Sequence, residues 1–236
     1  MLHPTLQRAP LRAVIFDFDG TLAVSTLDYA LMRQRALEAA KAVFPDGFEH
    51  TFDAKGRSAM EELREVCEAL SAYGEEAIAK VRSAAMDAVK EVELDAAKRS
   101  SLFPFVRPML KALAGRNIRC GIITRNCIES VRMVFPDYQE LCACTLTRDD
   151  VQKVKPDPAH LRAALEILKC PAREAMMVGD HPMDIEVGRK TGTRTAGVAS
   201  AESSFAELVK EKPTWLAKDA GELMRWLGLM EREAAN

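Results

Sequence analysis

Three short apolar runs in this chain end in polar residues and then pass into a helical pattern. That rhythm limits the fold more than any other feature of the sequence. Residues 11–16 lead into Asp17-Phe18-Asp19-Gly20-Thr21, residues 118–123 into Thr124-Arg125-Asn126, and residues 175–178 into Gly179-Asp180. Residues 193–198 and 141–146 read as two further strands. Strands that are apolar at every position, rather than every second one, are buried on both faces, as in a parallel sheet layered between helices. Helical patterns at 106–116, 127–134, 157–169, 182–190, 203–211 and 219–229 supply those layers. Right-handed crossovers then give an α/β fold with a doubly wound parallel sheet, whose ligands bind beyond the carboxyl ends of the strands. The polar clusters fall at that edge.

The alternation stops between Ala23 and about Ser100. Leu27, Ala30, Leu31, Leu37 and Ala40 step along one helix face; Met60, Leu63, Val66, Cys67 and Leu70 mark a second helix. Ile78, Val81, Ala85, Ala88, Val89 and Val92 mark a third, and Gly56 and Gly74 interrupt the periodicity where turns belong. The expectation is an all-helical domain over residues 23–100, inserted into an α/β domain of residues 1–22 and 101–236. Leu102-Phe103-Pro104-Phe105 is the expected return into the sheet.

Composition narrows the function classes. Lys and Arg number 33 against 35 Asp and Glu, for a formal net charge of −2, and no basic cluster departs from that balance. A protein that grips nucleic acid by neutralising phosphates is thereby disfavoured. The longest apolar runs are a few residues, far short of a membrane span, and Met1-Leu2-His3-Pro4 lacks the pattern of a secretory signal. Six cysteines in 236 residues do not make a disulfide scaffold and read as reduced thiols of a cytoplasmic protein. Cys142 and Cys144 are expected on one face of a strand, and two thiols without two further ligands do not make a zinc site. Apolar packing is the expected role of these cysteines and of the Met176-Met177 pair.

Four elements carry the chemistry. Asp17 and Asp19, two apart at a strand mouth, would lie roughly 6–7 Å from each other on one side. Such carboxylates repel unless a cation lies between them or one takes a proton. A hard divalent cation such as Mg²⁺ suits an oxygen site of this kind, and one aspartate could attack an electrophile while the other handles protons. A polar strand-to-loop turn explains Asp-x-Asp-Gly-Thr equally well. Gly179-Asp180-His181-Pro182-Met183-Asp184 forms a second acidic cluster at the same edge. A helix cap by Asp180 would account for it alone, but four carboxylates converging there would need a metal. Thr124 offers a strand-end hydroxyl with backbone N–H groups for a phosphate oxygen, or serves merely as a cap. Lys155, between Val154 and Pro156, is held by a proline-restricted loop, although a solvated lysine is the ordinary expectation.

In this order the four elements resemble the motifs of the haloacid dehalogenase superfamily, in the branch with a helical cap after the first strand. The motif residues are Asp17-Phe18-Asp19-Gly20-Thr21-Leu22, then Thr124, then Lys155, then Gly179-Asp180 with Asp184, and they span nearly the whole chain. The resemblance implies a Rossmann-like core and a Mg²⁺-dependent phosphatase acting on a small phosphorylated metabolite. It implies that Asp17 becomes an aspartyl-phosphate, that Asp19 protonates the leaving alcohol and then activates water, and that Thr124 and Lys155 hold the phosphoryl oxygens. Mg²⁺ would be bound by Asp17, the Asp19 carbonyl and Asp180, with Asp184 as a further ligand or a support. Family dehalogenases and phosphonatases lack an aspartate at position 19, and the related sugar phosphomutases often carry an acidic residue where this chain has Gly179 and lack Asp184. The resemblance is therefore to a phosphoglycolate-phosphatase-type hydrolase, with a phosphomutase or a non-catalytic binding module of the same fold as alternatives. His181 stands where the family commonly has serine and reads as a solvent-facing or capping imidazole. Arg57, in the turn Lys55-Gly56-Arg57-Ser58, is a candidate for a substrate anion, with Arg125 and Asn126 as competitors. The expected assembly is a monomer or homodimer, with neither nucleic acid nor membrane as partner.

Overall fold

A computed structural model describes residues 10–52, 59–199 and 205–231. The chain divides into two compact units, one of residues 1–25 and 100–236 and one of residues 26–99.

The first unit is built on strands β1 (Ala13–Phe16), β4 (Arg119–Ile123), β5 (Cys144–Leu146), β6 (Ala175–Gly179), β7 (Arg194–Val198) and β8 (Trp215–Ala217). They form one parallel sheet in the order β5-β4-β1-β6-β7-β8. The chain steps from β1 to one side for β4 and β5, then returns to the other side for β6, β7 and β8. Polar loops on either side of that reversal diverge and leave a crevice at the carboxyl ends of β1 and its neighbours. Phe16 aligns with Ile122 of β4 and Val178 of β6, so the residues after all three strands emerge at one level.

The apolar strands are explained by two cores. Val14, Phe16, Ile122, Met176 and Val178 pack on one face with Met109, Leu110, Leu113, Phe135 and Leu223. Ala13, Ile15, Ile123, Ala175 and Met177 face the other way, onto Leu161, Leu165 and Val187. Helices Val106–Ala114, Ile128–Val134 and Ala220–Trp226 serve the first core, and helices Pro158–Ile167 and Pro182–Thr191 serve the second. A short antiparallel pair, β2 (Ala23–Val24) with β3 (Ser101–Leu102), closes the base of the intervening segment. β8 went unpredicted because its three residues carry too short an apolar signal.

The expected strand over 141–146 begins later. Tyr138–Leu141 is a helical turn, and only Cys144–Leu146 joins the sheet. Cys142 and Cys144 consequently do not share a face: Cys142 packs in the first core and Cys144 in the second. Their apolar role stands, because all six cysteines are buried and none is in a disulfide. Burial pushes the Cys120 thiol up to about 12 and that of Cys144 up to about 11.

The second unit consists of helices Tyr29–Lys41, Ala59–Ala69 and Glu75–Ala97, with a 3₁₀ turn at Leu70–Tyr73. Ala36, Ala40, Leu63, Val66, Leu70, Val81, Ala85 and Val89 form its core, flanked by Phe44, Phe48 and Phe52. Ala30 and Leu31 turn out of that core, and so does Met60; the first helix buries Ala36, Leu37 and Ala40 instead. Among the described residues no helix is long and apolar enough to cross a membrane.

Candidate active site

The chain leaves β1 at Phe16, so Asp17 is the first residue past the strand. Its N–H still donates to the Val178 carbonyl at 2.8 Å, and its Oδ1 accepts the Phe18 N–H at 2.7 Å. The Phe18 carbonyl then accepts the N–H groups of Leu22 and Ala23, both at 2.9 Å, which folds the motif into a tight loop. Gly20 lies in that loop with φ +76°, and a Cβ there would sit 2.1 Å from Asp180 Oδ2. Only glycine allows the loop after β1 to approach the loop after β6 so closely.

Asp184 arrives by a different device. Pro182 opens the helix Pro182–Thr191, and His181 caps it: its Nδ1 accepts the Met183 N–H at 3.2 Å, while Asp184 Oδ2 accepts the His181 N–H at 3.1 Å. This reciprocal box fixes the first turn. Asp180 is therefore not the cap; its carboxylate gathers with those of Asp17 and Asp184, their oxygens within 4.8 Å of one another. The four-carboxylate expectation reduces to these three, because the Asp19 side chain leaves the cluster and accepts from Asn126 Nδ2 at 3.0 Å.

Lys155 completes the cluster. Its Nζ lies 2.6 Å from Asp17 Oδ1 and 2.7 Å from Asp184 Oδ1, in a position only 3% exposed. The solvated-lysine expectation is thus overturned. His160, in the first turn of Pro158–Ile167 and fully buried, accepts the Lys155 N–H on Nδ1 at 3.3 Å and lies with Nε2 3.2 Å from the Leu146 carbonyl. It ties the lysine loop to the end of β5. Asp157 caps the same helix by accepting the Ala159 N–H at 2.9 Å.

Beyond β4, Thr124 Oγ1 accepts the Asn126 N–H at 3.0 Å, and Asn126 Oδ1 accepts the Cys127 N–H at 2.8 Å. Arg148 Nη1 donates to the Arg125 carbonyl at 3.1 Å, so the turn is braced from outside. Arg125 Nη1 lies 3.3 Å from Met183 Sδ.

Electrostatics show which kind of ion the cluster suits. Burial pulls the Lys155 pKa down, but the charges of Asp17 and Asp184 outweigh it and leave the ammonium above its ordinary value. Burial raises the Asp180 carboxyl, and repulsion from Asp17 and Asp184 raises it further; Asp184 is also raised, chiefly by burial, against the pull of Lys155. One ammonium among three carboxylates leaves an excess of negative charge that a divalent cation would neutralise. Three oxygen-donating carboxylates fit a hard ion of that kind.

The structure thus brings Asp17, Asp19, Thr124, Lys155, Asp180 and Asp184 to one edge of the sheet, with Arg125 and Asn126 beside them. Arg57 lies outside the described residues. Sequence reasoning missed His160 and Arg148, which hold backbone groups of the site loops that no motif records. A groove of about 610 Å³ lined by Arg12, Arg119 and Cys142 lies at the opposite, amino-terminal end of the strands, away from these groups.

Comparison with known proteins agrees with this geometry. Residues 14–198 match the family model of haloacid dehalogenase-like hydrolases. The chain is 26% identical over 234 residues to pyrophosphatase PpaX of Anoxybacillus flavithermus, covering 94% of this chain and 99% of that protein. A hydrolase from Pseudomonas syringae superposes with TM-score 0.65 at 21% identity, covering 93% of this chain and 98% of the other. A predicted phosphoglycolate phosphatase from Haemophilus somnus does so with TM-score 0.61 at 18% identity, covering 91% and 97%. With the family model covering most of its length and the acidic cluster at the topological switch point, this chain is a member of the haloacid dehalogenase-like hydrolase family.

Proposed function

We propose that this hydrolase is a Mg²⁺-dependent phosphatase of small phosphorylated metabolites, working through an aspartyl-phosphate on Asp17. The observation that carries the reading is the convergence of Asp17, Asp180, Asp184 and Lys155 at the switch point of the sheet. The names of the similar proteins suggest pyrophosphate and phosphoglycolate as substrates to try first.

In this reading a carboxylate oxygen of Asp17 attacks phosphorus as the ester P–O bond breaks, and Asp19 gives its proton to the leaving oxygen. Asp19 then takes a proton from water, whose oxygen attacks the same phosphorus; the bond to Asp17 breaks and inorganic phosphate leaves. The Asn126 hydrogen bond keeps Asp19 out of the carboxylate cluster and fixes its direction. Lys155 has three donors, two of them used on Asp17 and Asp184, and the third is left for a phosphoryl oxygen. Thr124 and its neighbouring N–H groups hold another. Asp17, Asp180, Asp184 and the Asp19 carbonyl would hold Mg²⁺, which supplies neutralisation of the charge on the transferring phosphoryl group.

Gly179 supports hydrolysis over the phosphomutase alternative. A Cβ at Gly179 would lie 2.2 Å from Asp184 Cγ, so an acidic residue at 179 and an aspartate at 184 exclude one another. Residues 26–99 are assigned the role of a specificity cap, since the chain enters and leaves that unit through the β2–β3 pair just after the aspartate loop.

The test is phosphate release from pyrophosphate, phosphoglycolate and sugar phosphates, with and without Mg²⁺, for the wild type and Asp17→Asn. Loss of the nucleophile is expected to lower turnover on the order of a thousandfold or more. Undiminished turnover by that variant would remove Asp17 as nucleophile.

A further inference from the structure

Arg125 has no place in the division of labour just given, yet its position is unusual. It follows β4 and touches Met183, which lies in the helix after β6. Sheet order puts β1 between β4 and β6. Neighbouring strands are about 4.8 Å apart, so the contact joins, through the two side chains together, loops that follow strands roughly 10 Å apart on either side of the strand that carries Asp17.

Its charge is also uncompensated. Among the described residues no carboxylate lies within ion-pair distance of the Arg125 guanidinium, although three gather at the same edge; Lys155 takes two of them. The partner it has is a thioether sulfur, a weak acceptor that satisfies little of a five-donor group. The backbone beneath it is fixed. Arg148 holds the Arg125 carbonyl, the Asn126 N–H is held by Thr124, and the Asn126 side chain is held by Asp19 and Cys127. A half-buried arginine on a rigid turn, with no carboxylate partner among the described residues, is prepared for an anion brought by the substrate.

We propose that Arg125 is the specificity-determining residue of the core, holding a second anionic group on the leaving side of the phosphate. The substrate class is a phosphate whose leaving group itself carries a negative charge within a few bonds of the bridging oxygen, either a second phosphoryl group or a carboxylate. Phosphates with neutral leaving groups lack this contact. The inference rests on the phosphatase reading above and goes further by naming what that site selects.

The experiment compares kcat/KM for pyrophosphate, phosphoglycolate and phenyl phosphate, each with Mg²⁺, in the wild type, Arg125→Met and Arg125→Lys. Arg125→Met keeps the apolar stem against Met183 while removing the charge. The ratio of the anionic-leaving-group substrate to phenyl phosphate is expected to fall roughly tenfold to a hundredfold in Arg125→Met, mainly through KM, and less in Arg125→Lys. A fall for pyrophosphate alone assigns the second anion as phosphoryl, and a fall for phosphoglycolate alone assigns it as carboxylate. A wild type that hydrolyses the esters with a ratio that neither variant changes overturns this inference alone. A wild type that hydrolyses phenyl phosphate but neither anionic substrate overturns this inference alone, and one that hydrolyses none of the three nor any sugar phosphate overturns the phosphatase reading and this inference with it. If Arg125→Met does not fold, Arg125→Lys supplies the same ratio.

Discussion

At the scale of single residues, His160 shows how the buried lysine of the carboxylate cluster can depend on a side chain that never reaches that cluster. It accepts from the Lys155 N–H and faces the Leu146 carbonyl; removing it takes away the partner of the Lys155 N–H, while the Leu146 carbonyl keeps the Thr124 N–H at 3.0 Å. His160→Phe, similar in shape, is expected to lower stability by about 1–3 kcal/mol in denaturant titrations. The effect depends on pH. Burial, aided by the Lys155 charge, holds the His160 pKa down at about 4 against an ordinary 6.5. The unfolded chain therefore takes up this proton below 6.5 while the folded chain resists until about 4. The stability from a neutral His160 is complete above 6.5 and is lost as pH falls through 4, on the order of 3 kcal/mol in all. Wild type and His160→Phe should accordingly converge in stability across that window, and a gap that stays constant with pH would refute the assignment.

At the scale of elements, the helix Pro158–Ile167 connects the lysine loop to the second core. Asp157 caps it and Pro158 opens it, while Leu161 and Leu165 bury its inner face. Asp157→Ala removes the acceptor for the Ala159 N–H and should cost about 1 kcal/mol, read as a lowered midpoint in thermal unfolding. The sequence located this helix and the other sheet-flanking helices to within a few residues, because capping residues and apolar spacing are local signals. It misplaced Cys142 for a related reason. Alternation holds only within a strand, and the helical turn before Cys144 delays the strand. Ala30, Leu31 and Met60 failed differently: a small or flexible apolar residue suits either side of a helix, and the packing partner decides which.

At the scale of the whole molecule, residues 26–99 enter and leave through paired strands, with Ala23 opposite Leu102. The sheet and both of its cores are built without them. A chain in which a short Gly-Ser linker joins Ser25 to Ser100 is expected to unfold cooperatively by circular dichroism. Failure of that chain to fold would show that the sheet unit depends on the helical one.

The sequence by itself determined the parallel sheet, the helices around it and which polar residues stand at strand ends, because burial on two faces and helix capping are written in neighbouring residues. Strand order was left to the tertiary structure, and with it the meeting of Asp17, Asp180, Asp184 and Lys155 from positions far apart in the chain. So was the separation of Asp19 from that cluster by Asn126, and the contact of Arg125 with Met183. These depend on which loops the sheet brings side by side, a relation that spacing along the chain does not contain.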